Sequence, residues 1–164
     1  MRTLRTATTA DIPLIRELCF QVWPQTYAPM LPAAQIDFML EWMYSPQSLQ
    51  QQLQSGVTYV LCHEDDRPVG FAAWQDQDGD KCKLEKLYVL QDQQGKGTGR
   101  FLLDHVASAA TARGCKCVQL QVNRKNSARH FYEKCGFFIA YEAVSDIGNG
   151  FVMDDYIMQL DLPR

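Results

Sequence analysis

The stretch Leu84–Leu103, which reads LEKLYVLQDQQGKGTGRFLL, decides how the rest of the chain is arranged. Its first part, up to Leu90, is rich in large apolar and β-favouring side chains and predicts a strand. A polar connection follows at 91–94. The glycine-rich run 95–99 then leads into apolar residues at helical spacing: Leu102, Leu103, Val106 and Ala110. The stretch therefore predicts a strand, a glycine-rich turn and a helix.

The turn Gly95-Lys96-Gly97-Thr98-Gly99 predicts an anion site. Bare backbone N–H groups at a helix N-terminus, where the helix dipole is positive, most often bind phosphate. A mobile surface turn is the alternative, because glycine is common in turns. The order of residues in this turn excludes a Walker-type loop, since Lys96 is followed by Gly97 and not by Ser or Thr. It also fits the dinucleotide fingerprint poorly, because the third glycine comes one position early.

Composition restricts the class of protein. A chain of 164 residues with 46% hydrophobic and 21% charged residues suits one globular domain with a sizeable core. The net charge of −3 argues against a nucleic-acid partner or a membrane-surface role. The six cysteines do not predict a disulfide framework, and Cys115 and Cys117 are expected in the core and not at a metal. We see no signal peptide and no run long enough to span a bilayer, which favours a reducing cytoplasm.

Apolar spacing and turn residues predict the order of elements. The predicted strands are 2–8, 57–62, 69–74, 81–90, 117–122, 137–143 and 151–162. The predicted helices begin near Thr9, Pro32 and Pro46 and then cover 97–113 and 126–135. Pro24 is expected to end the first helix, with a loop over 23–31, and Gly79 is expected in a turn over 76–80.

A second motif, NSARHFYEKCGF over Asn126–Phe137, follows the helix and strand after the glycine-rich turn. It resembles the N-x-A-x-x-F-Y-x-x-x-G-F pattern of the GNAT-type N-acetyltransferases. The run Gln94–Gly99 is similar to that family's Q/R-x-x-G-x-G/A pyrophosphate loop. The resemblance covers about 57–162 well and the N-terminal third only loosely.

The resemblance implies an α/β (α+β) fold. It implies a mixed, mostly antiparallel sheet of six or seven strands with helices on both faces. A central parallel pair, 83–90 and 117–122, should splay apart to admit coenzyme A. Residues 1–164 are expected to form a single N-acetyltransferase domain.

The resemblance also implies that acetyl-CoA is the acyl donor and that no metal is needed. Its pantetheine should lie along the edge of the strand before the loop, and its pyrophosphate on the loop. The expected cofactor-binding residues are Leu87, Tyr88, Val89, Gln94, Gly95, Lys96, Gly97, Thr98, Gly99, Arg100, Asn126, Phe131 and Lys134. Asn126 is also expected to cap its helix.

Acetyl transfer to an amine needs a base, an oxyanion donor and an acid. Glu85, on the strand between Leu84 and Leu87, is the candidate base, unless it faces water and pairs with a neighbouring lysine. The Val89 N–H is the candidate oxyanion donor. Tyr132, which matches the tyrosine of the second motif, is the candidate acid, with a purely packed aromatic as the alternative.

The acceptor is expected between the first helices and the closing hairpin, where aromatic and acidic residues would suit a cationic amine. We expect Trp23, Tyr27 and Asp154 to bind it, although aromatic residues in helices are usually core and acidic turn residues usually face water. The predicted reaction is direct attack of a primary amine, such as a polyamine or another small amine, on acetyl-CoA in a ternary complex. The alternatives are a peptide or protein N-terminal or lysine acetyltransferase, and a coenzyme A-binding module without catalysis. A homodimer is a further expectation.

Overall fold

A seven-stranded mixed sheet organises the computed structural model, which describes residues 1–78 and 80–163. The strands are β1 (Arg2–Thr6), β2 (Thr58–Glu64), β3 (Arg67–Gln77), β4 (Lys81–Val89), β5 (Cys117–Asn123), β6 (Phe138–Gly148) and β7 (Phe151–Asp161). Their order across the sheet is β1-β2-β3-β4-β5-β7-β6. The pair β4–β5 is parallel and the other neighbouring pairs are antiparallel. The predicted mixed sheet with a central parallel pair is confirmed.

Five helices cover the two faces of the sheet: α1 (Ile12–Tyr27), α2 (Ala33–Tyr44), α3 (Pro46–Gln54), α4 (Thr98–Ala112) and α5 (Ala128–Lys134). Helices α1 to α3 pack on what we call the front face, over a core that contains Trp23, Tyr44 and Phe71. Helices α4 and α5 pack on the back face, over a core that contains Leu84 and Leu102. Both faces are therefore buried along the middle strands, as a sheet with a parallel pair requires.

The parallel pair separates soon after it forms. Strands β4 and β5 are paired only from Lys81 opposite Cys117 to Leu84 opposite Leu120. On its other edge, β4 places Leu84 opposite Trp74 and Lys86 opposite Ala73, so Glu85 is the extra residue of a β-bulge. A bulge bends its strand, and the bend begins where the pairing with β5 ends. The result is a V-shaped split between the C-terminal halves of β4 and β5.

Two predicted boundaries were wrong. Helix α1 continues through Pro24 to Tyr27, because the Ala28 N–H donates to the Pro24 carbonyl at 3.0 Å and Trp23 packs into the front core. A proline removes one helical hydrogen bond, but burial of the last turn outweighs that loss. Strand β6 runs past the expected turn at 145–149 to Gly148, since Asn149 and Gly150, at φ 56° and 78°, close a two-residue hairpin turn.

Other predicted elements lie within a few residues of the observed ones. The turn expected around Gly79 falls partly outside the described residues. Within residues 1–78 and 80–163, no helix is both long and apolar enough to cross a membrane.

Candidate active site

A groove of about 650 Å³ begins at the wide end of the split and runs between α1, the glycine-rich loop and α5. The residues predicted for the cofactor that line it are Leu87, Val89, Gln94, Gly95, Gly97, Gly99, Arg100, Asn126 and Phe131. The candidate acid Tyr132 lines it as well. The first helix contributes Val22, Gln25 and Thr26, and the turn after it contributes Met30; none of these was predicted for the cofactor.

Four residues predicted for the cofactor lie apart from the lining of this groove: Tyr88, Lys96, Thr98 and Lys134. The Tyr88 side chain turns into the front core, where its hydroxyl hydrogen-bonds the Tyr27 hydroxyl at 2.9 Å. Thr98 is buried as the first residue of α4, and its hydroxyl oxygen has no hydrogen-bond partner among the described residues. The Lys96 and Lys134 side chains are exposed.

The glycine-rich loop has the geometry of an anion cradle. Gly95 and Gly97 adopt φ of 79° and 84°, a left-handed conformation that glycine reaches without strain. Gly97 is the N-cap of α4, and the first helical hydrogen bond that follows runs from the Phe101 N–H to the Gly97 carbonyl at 3.0 Å. The N–H groups of 98–100 are therefore free for a ligand, at the positive end of the helix dipole.

Gly99 serves a different purpose from the other two glycines. A Cβ built there would stand 3.3 Å from the Phe131 ring, so this glycine lets α5 approach the start of α4. The contact connects the two motifs that the sequence singled out. It places Phe131, and with it Tyr132, beside the loop.

Arg2 contacts the glycine-rich loop, and the sequence did not predict this contact. Its guanidinium donates to the Lys96 carbonyl, pairs with Glu64 at 3.4 Å and lies 5.9 Å from the Phe101 ring centroid. A residue of β1 thus fixes a carbonyl in the middle of the loop. Because the contact joins positions that are 94 residues apart, no local pattern in the sequence could indicate it.

The end of β4 presents its backbone to the split. The Leu90 N–H donates to the Val69 carbonyl of β3 at 2.9 Å, and successive backbone groups of a strand point to opposite edges. The N–H groups of Leu87 and Val89 therefore face β5 across the split. The Gln94 amide donates to the Val89 carbonyl at 3.3 Å and holds the loop against this strand end.

A smaller cavity of about 130 Å³ lies within the split. It brings together the candidate base Glu85, the candidate acid Tyr132 and the predicted acceptor residue Tyr27. The Glu85 carboxylate lies 3.7 Å from the Lys83 ammonium, and the side chains are 27% and 31% exposed. Glu85 is thus half-buried and weakly paired with Lys83. This position lies between the two alternatives from the sequence, which were a candidate base and a water-facing carboxylate paired with lysine.

Tyr132 is almost fully buried between two aromatic rings, with Phe131 and Phe137 at centroid distances of 5.3 and 5.6 Å. Burial raises the pKa of Tyr132 above its usual range, and the nearby Tyr27 hydroxyl adds to the effect. The phenol therefore stays protonated at neutral pH. Asn126 was expected to cap the helix that carries Tyr132, but the N-cap residue is Ser127; the Asn126 side-chain oxygen instead accepts the Ala128 N–H at 2.8 Å in the turn that leads into the helix.

The predicted acceptor residues have different environments. Trp23 is 2% exposed in the front core, where its indole N–H donates to the Tyr44 hydroxyl at 3.4 Å, so the core alternative accounts for it. Asp154 lies at the surface, paired with Arg124 at 3.1 Å. The neighbouring carboxylate, Asp155, is the inward one at 1% exposure, and neither of its oxygens has a hydrogen-bond partner among the described residues.

The sheet split between its parallel strands and the glycine-rich loop beside the split match the arrangement that the resemblance to the GNAT-type N-acetyltransferases implies. The comparison with known families agrees. The chain belongs to the acetyltransferase (GNAT) family, whose sequence pattern matches residues 23–137.

Curated relatives are similar over part of the chain. The [ribosomal protein bS18]-alanine N-acetyltransferase of Haemophilus influenzae is 35% identical over 74 residues, which is 45% of this chain and 50% of that protein. The peptidyl-lysine N-acetyltransferase YjaB of Escherichia coli is 33% identical over 92 residues, 55% and 56% of the two chains. The chain thus spans about half the length of these curated relatives.

Solved structures extend the likeness to the whole fold. The PaiA N-acetyltransferase of Thermoplasma acidophilum, crystallised with coenzyme A, superposes with a TM-score of 0.83 at 23% identity. The match covers 98% of this chain and 99% of that one. The GNAT fold predicted from the sequence is therefore confirmed over nearly the full length.

Proposed function

We propose that this chain is a single-domain enzyme, over 1–164, that transfers an acetyl group from acetyl-CoA to a primary amine by direct attack in a ternary complex. The observation that carries the proposal is the split between β4 and β5. A phosphate-type cradle lies at its wide end, and Glu85 and Tyr132 line one cavity within it. No covalent acetyl-enzyme is invoked, because donor and acceptor can meet in the split from opposite faces of the sheet.

The chain's residues suit the donor in three ways. The loop supplies free N–H groups for the pyrophosphate at 98–100, beside the two left-handed glycines. The Leu87 and Val89 backbone groups, which face the split, suit the amides of pantetheine as a strand edge would. Asn126 uses its side-chain oxygen in the turn before α5 and keeps its amide N–H₂ for the same arm. When bound, acetyl-CoA supplies an activated thioester.

Two groups of β4 handle the incoming amine and the carbonyl oxygen. The amine must be neutral to react, and a free alkylammonium has a pKa of about 10. Glu85, the bulged and half-buried carboxylate, is placed to accept that proton on the open part of the split. The Val89 N–H, which points into the split, is placed to stabilise the charge that develops on the carbonyl oxygen.

Tyr132 is placed to protonate the departing thiolate. It is on the wall that faces β4 and lines both the groove and the smaller cavity. Its raised pKa keeps a proton on the phenol until the thiolate leaves. In this proposal Glu85 and Tyr132, which line the same cavity, act as base and acid.

The acceptor that we propose is a small cationic amine. The front side of the split has the Tyr27 and Tyr88 hydroxyls and the buried carboxylate of Asp155. A peptide or protein amine is the second candidate, supported by the alanine and peptidyl-lysine acetyltransferases among the relatives.

A homodimer stays a prediction. The apolar side chains on the edge strand β6, which include Phe138, Tyr141 and Val144 at 46%, 54% and 68% exposure, provide surface for it.

The test is release of free thiol from acetyl-CoA, measured with alkylamines, diamines, lysine peptides and peptides with a free α-amine. We expect amine-dependent release with at least one class, lost in Glu85→Gln. Acetyl-CoA binding without turnover on any amine would instead identify a coenzyme A-binding module. Turnover confined to peptides would replace the small amine with the second candidate.

A further inference from the structure

Asp155 on β7 is a buried carboxylate that no described residue satisfies. It is 1% exposed, and both carboxylate oxygens lack a hydrogen-bond partner among residues 1–78 and 80–163. Burial of an unpaired carboxylate is unfavourable, and proteins normally give such a group a partner. Burial, together with the charge of Asp154, raises the pKa of Asp155 to about 6, so it is still ionised at pH 7. The chain therefore holds a buried carboxylate with no counter-ion among the described residues, and a cationic ligand group would neutralise it.

The position of Asp155 is fixed by the register of the sheet. Met153 and Ile157, two residues away on either side, share its face, and Met153 packs against the front core. Asp155 thus points to the front face. It stands opposite Asn123 on β5. Asn123 lies three residues, or about 10 Å along the strand, past Leu120, which is the last residue of β5 that pairs with β4.

Asp155 is one side chain away from the catalytic cavity. The Tyr27 hydroxyl is buried, which is the main reason that its pKa rises to about 12, and the charge of Asp155 adds to that rise. Tyr27 also lines the smaller cavity with Glu85 and Tyr132. A ligand group held at Asp155 would therefore lie beside Tyr27, with the rest of the ligand able to extend into the split.

A carboxylate in this place suits a cation, but not the amine that reacts. A carboxylate next to an ammonium stabilises the charged form and raises its pKa, whereas the nucleophile must be neutral. We infer that Asp155 is a substrate-binding residue that holds a second, non-reacting ammonium of the acceptor, which makes alkyl diamines the preferred class.

Two contacts join the β6–β7 hairpin, which carries Asp155, to helix α2. The β6–β7 hairpin is joined to α2 by a hydrogen bond from the Gln35 amide to the Val152 carbonyl at 3.0 Å. The Phe38 and Phe151 rings also touch, at a centroid distance of 5.5 Å. These contacts join the hairpin that carries Asp155 to a helix of the front face.

This inference rests on the proposed amine acetylation, and its test compares diamines with monoamines of the same chain length. Putrescine and cadaverine are paired with butylamine and pentylamine, and KM and kcat are measured by thiol release. We expect the parent protein to prefer the diamines. Asp155→Asn should raise KM for the diamines by roughly tenfold or more, with KM for the monoamines little changed. Asp161→Asn, at the exposed far end of the same strand, is the matched control and should change neither.

Two further measurements separate the possible failures. A thermal melt should show Asp155→Asn at or above the parent, because the variant removes a buried unpaired charge. Calorimetric titration of putrescine into the protein with coenzyme A should show binding that Asp155→Asn loses. That loss would support the site even if no amine were acetylated, in which case the proposed function alone would fail.

Three results would overturn the inference. One is equal KM values for diamines and monoamines in the parent protein. The second is a fall in kcat for both classes in Asp155→Asn, which would make the residue a base. The third is a larger change of diamine KM in Asp154→Asn, which would return the role to the surface carboxylate.

Discussion

Tyr132 occupies a place where packing and chemistry would both explain a tyrosine. Two aromatic rings surround it, while its side chain also borders the groove and the split. Replacement by phenylalanine separates the two explanations, because it keeps the ring and removes the proton.

Tyr132→Phe should lower kcat by roughly 10²- to 10⁴-fold, the usual contribution of one acid–base group. The melting temperature should stay near that of the parent, since the ring contacts remain. Thiol release and a thermal melt of the same preparation provide both numbers. A variant with the parent's rate would show that Tyr132 only packs, and Phe137→Leu, which disturbs the neighbouring ring, controls for a loss of rate through loosened packing.

The adjacent carboxylates Asp154 and Asp155 show what the sequence could not decide at this scale. Two consecutive strand residues must point to opposite faces, so one of them faces the front core. Both are acidic, and acidic residues ordinarily face water, so the pattern alone favoured neither. The register of β7 against β5 decides it, and that register depends on pairings made far along the chain.

The glycine-rich loop and α4 form the element on which donor binding depends. Gly97 combines a left-handed backbone with a place at the N-cap of α4, where the N–H groups of the first turn converge. A side chain there meets two difficulties, strain in the backbone and loss of space and charge complementarity at the cradle.

Gly97→Asp should abolish measurable acetyl-CoA binding, because the new carboxylate repels phosphate. The strain should destabilise the fold by only about 1 kcal/mol. Gly56→Asp is a matched control, since Gly56 also has a positive φ, of 102°, and lies outside the lining of both cavities in the split. Calorimetric titration should show normal affinity in the control. Equal affinity in both variants would remove the loop from the donor site.

Local chemistry made this element predictable. The three glycines, the polar run before them and the helical spacing after them all lie within Leu84–Leu103, so the strand, turn and helix could be predicted from one stretch. The end of α1 was different, because burial of Trp23 and Tyr27 under the sheet overrides the local effect of Pro24. Tertiary packing, which the sequence does not show directly, decided that boundary.

The sheet as a whole separates two cores. Its central strands were predicted better than the contacts that the surrounding elements make with one another. The order of elements followed from apolar spacing and turn residues, and the split followed from the resemblance of the two motifs to one family. Two long-range contacts were not predictable, since Gln35 with Val152 joins residues 117 positions apart, and Arg2 with Lys96 joins residues 94 positions apart. The first contact joins the β6–β7 hairpin to α2 on the acceptor side, and the second holds the glycine-rich loop.

Lys86 affects the stability of the whole fold because it is a buried cation in the front face. It is 6% exposed, and its ammonium donates to the Tyr59 hydroxyl at 2.6 Å and to the Gln52 side-chain oxygen at 2.7 Å. Burial lowers the pKa of Lys86 to about 8, partly offset by Glu85. The unfolded chain, with an ordinary lysine pKa of about 10.4, binds more protons between pH 8 and 10.4 than the folded chain does, so this residue makes folding more favourable as pH rises through that window.

The Lys86→Met variant should therefore have its largest stability advantage over the parent protein at low pH. The variant removes the buried charge and leaves Tyr59 and Gln52 hydrogen-bonded to each other at 2.6 Å, so it should match or exceed the parent's stability at pH 7. Its advantage should shrink by up to about 3 kcal/mol between pH 8 and pH 10.5, at roughly 1.4 kcal/mol per pKa unit. Urea unfolding of both proteins across that range measures the difference, in which the titration of the other buried groups largely cancels. A difference that stays constant with pH would show that Lys86 keeps an ordinary pKa in the folded chain.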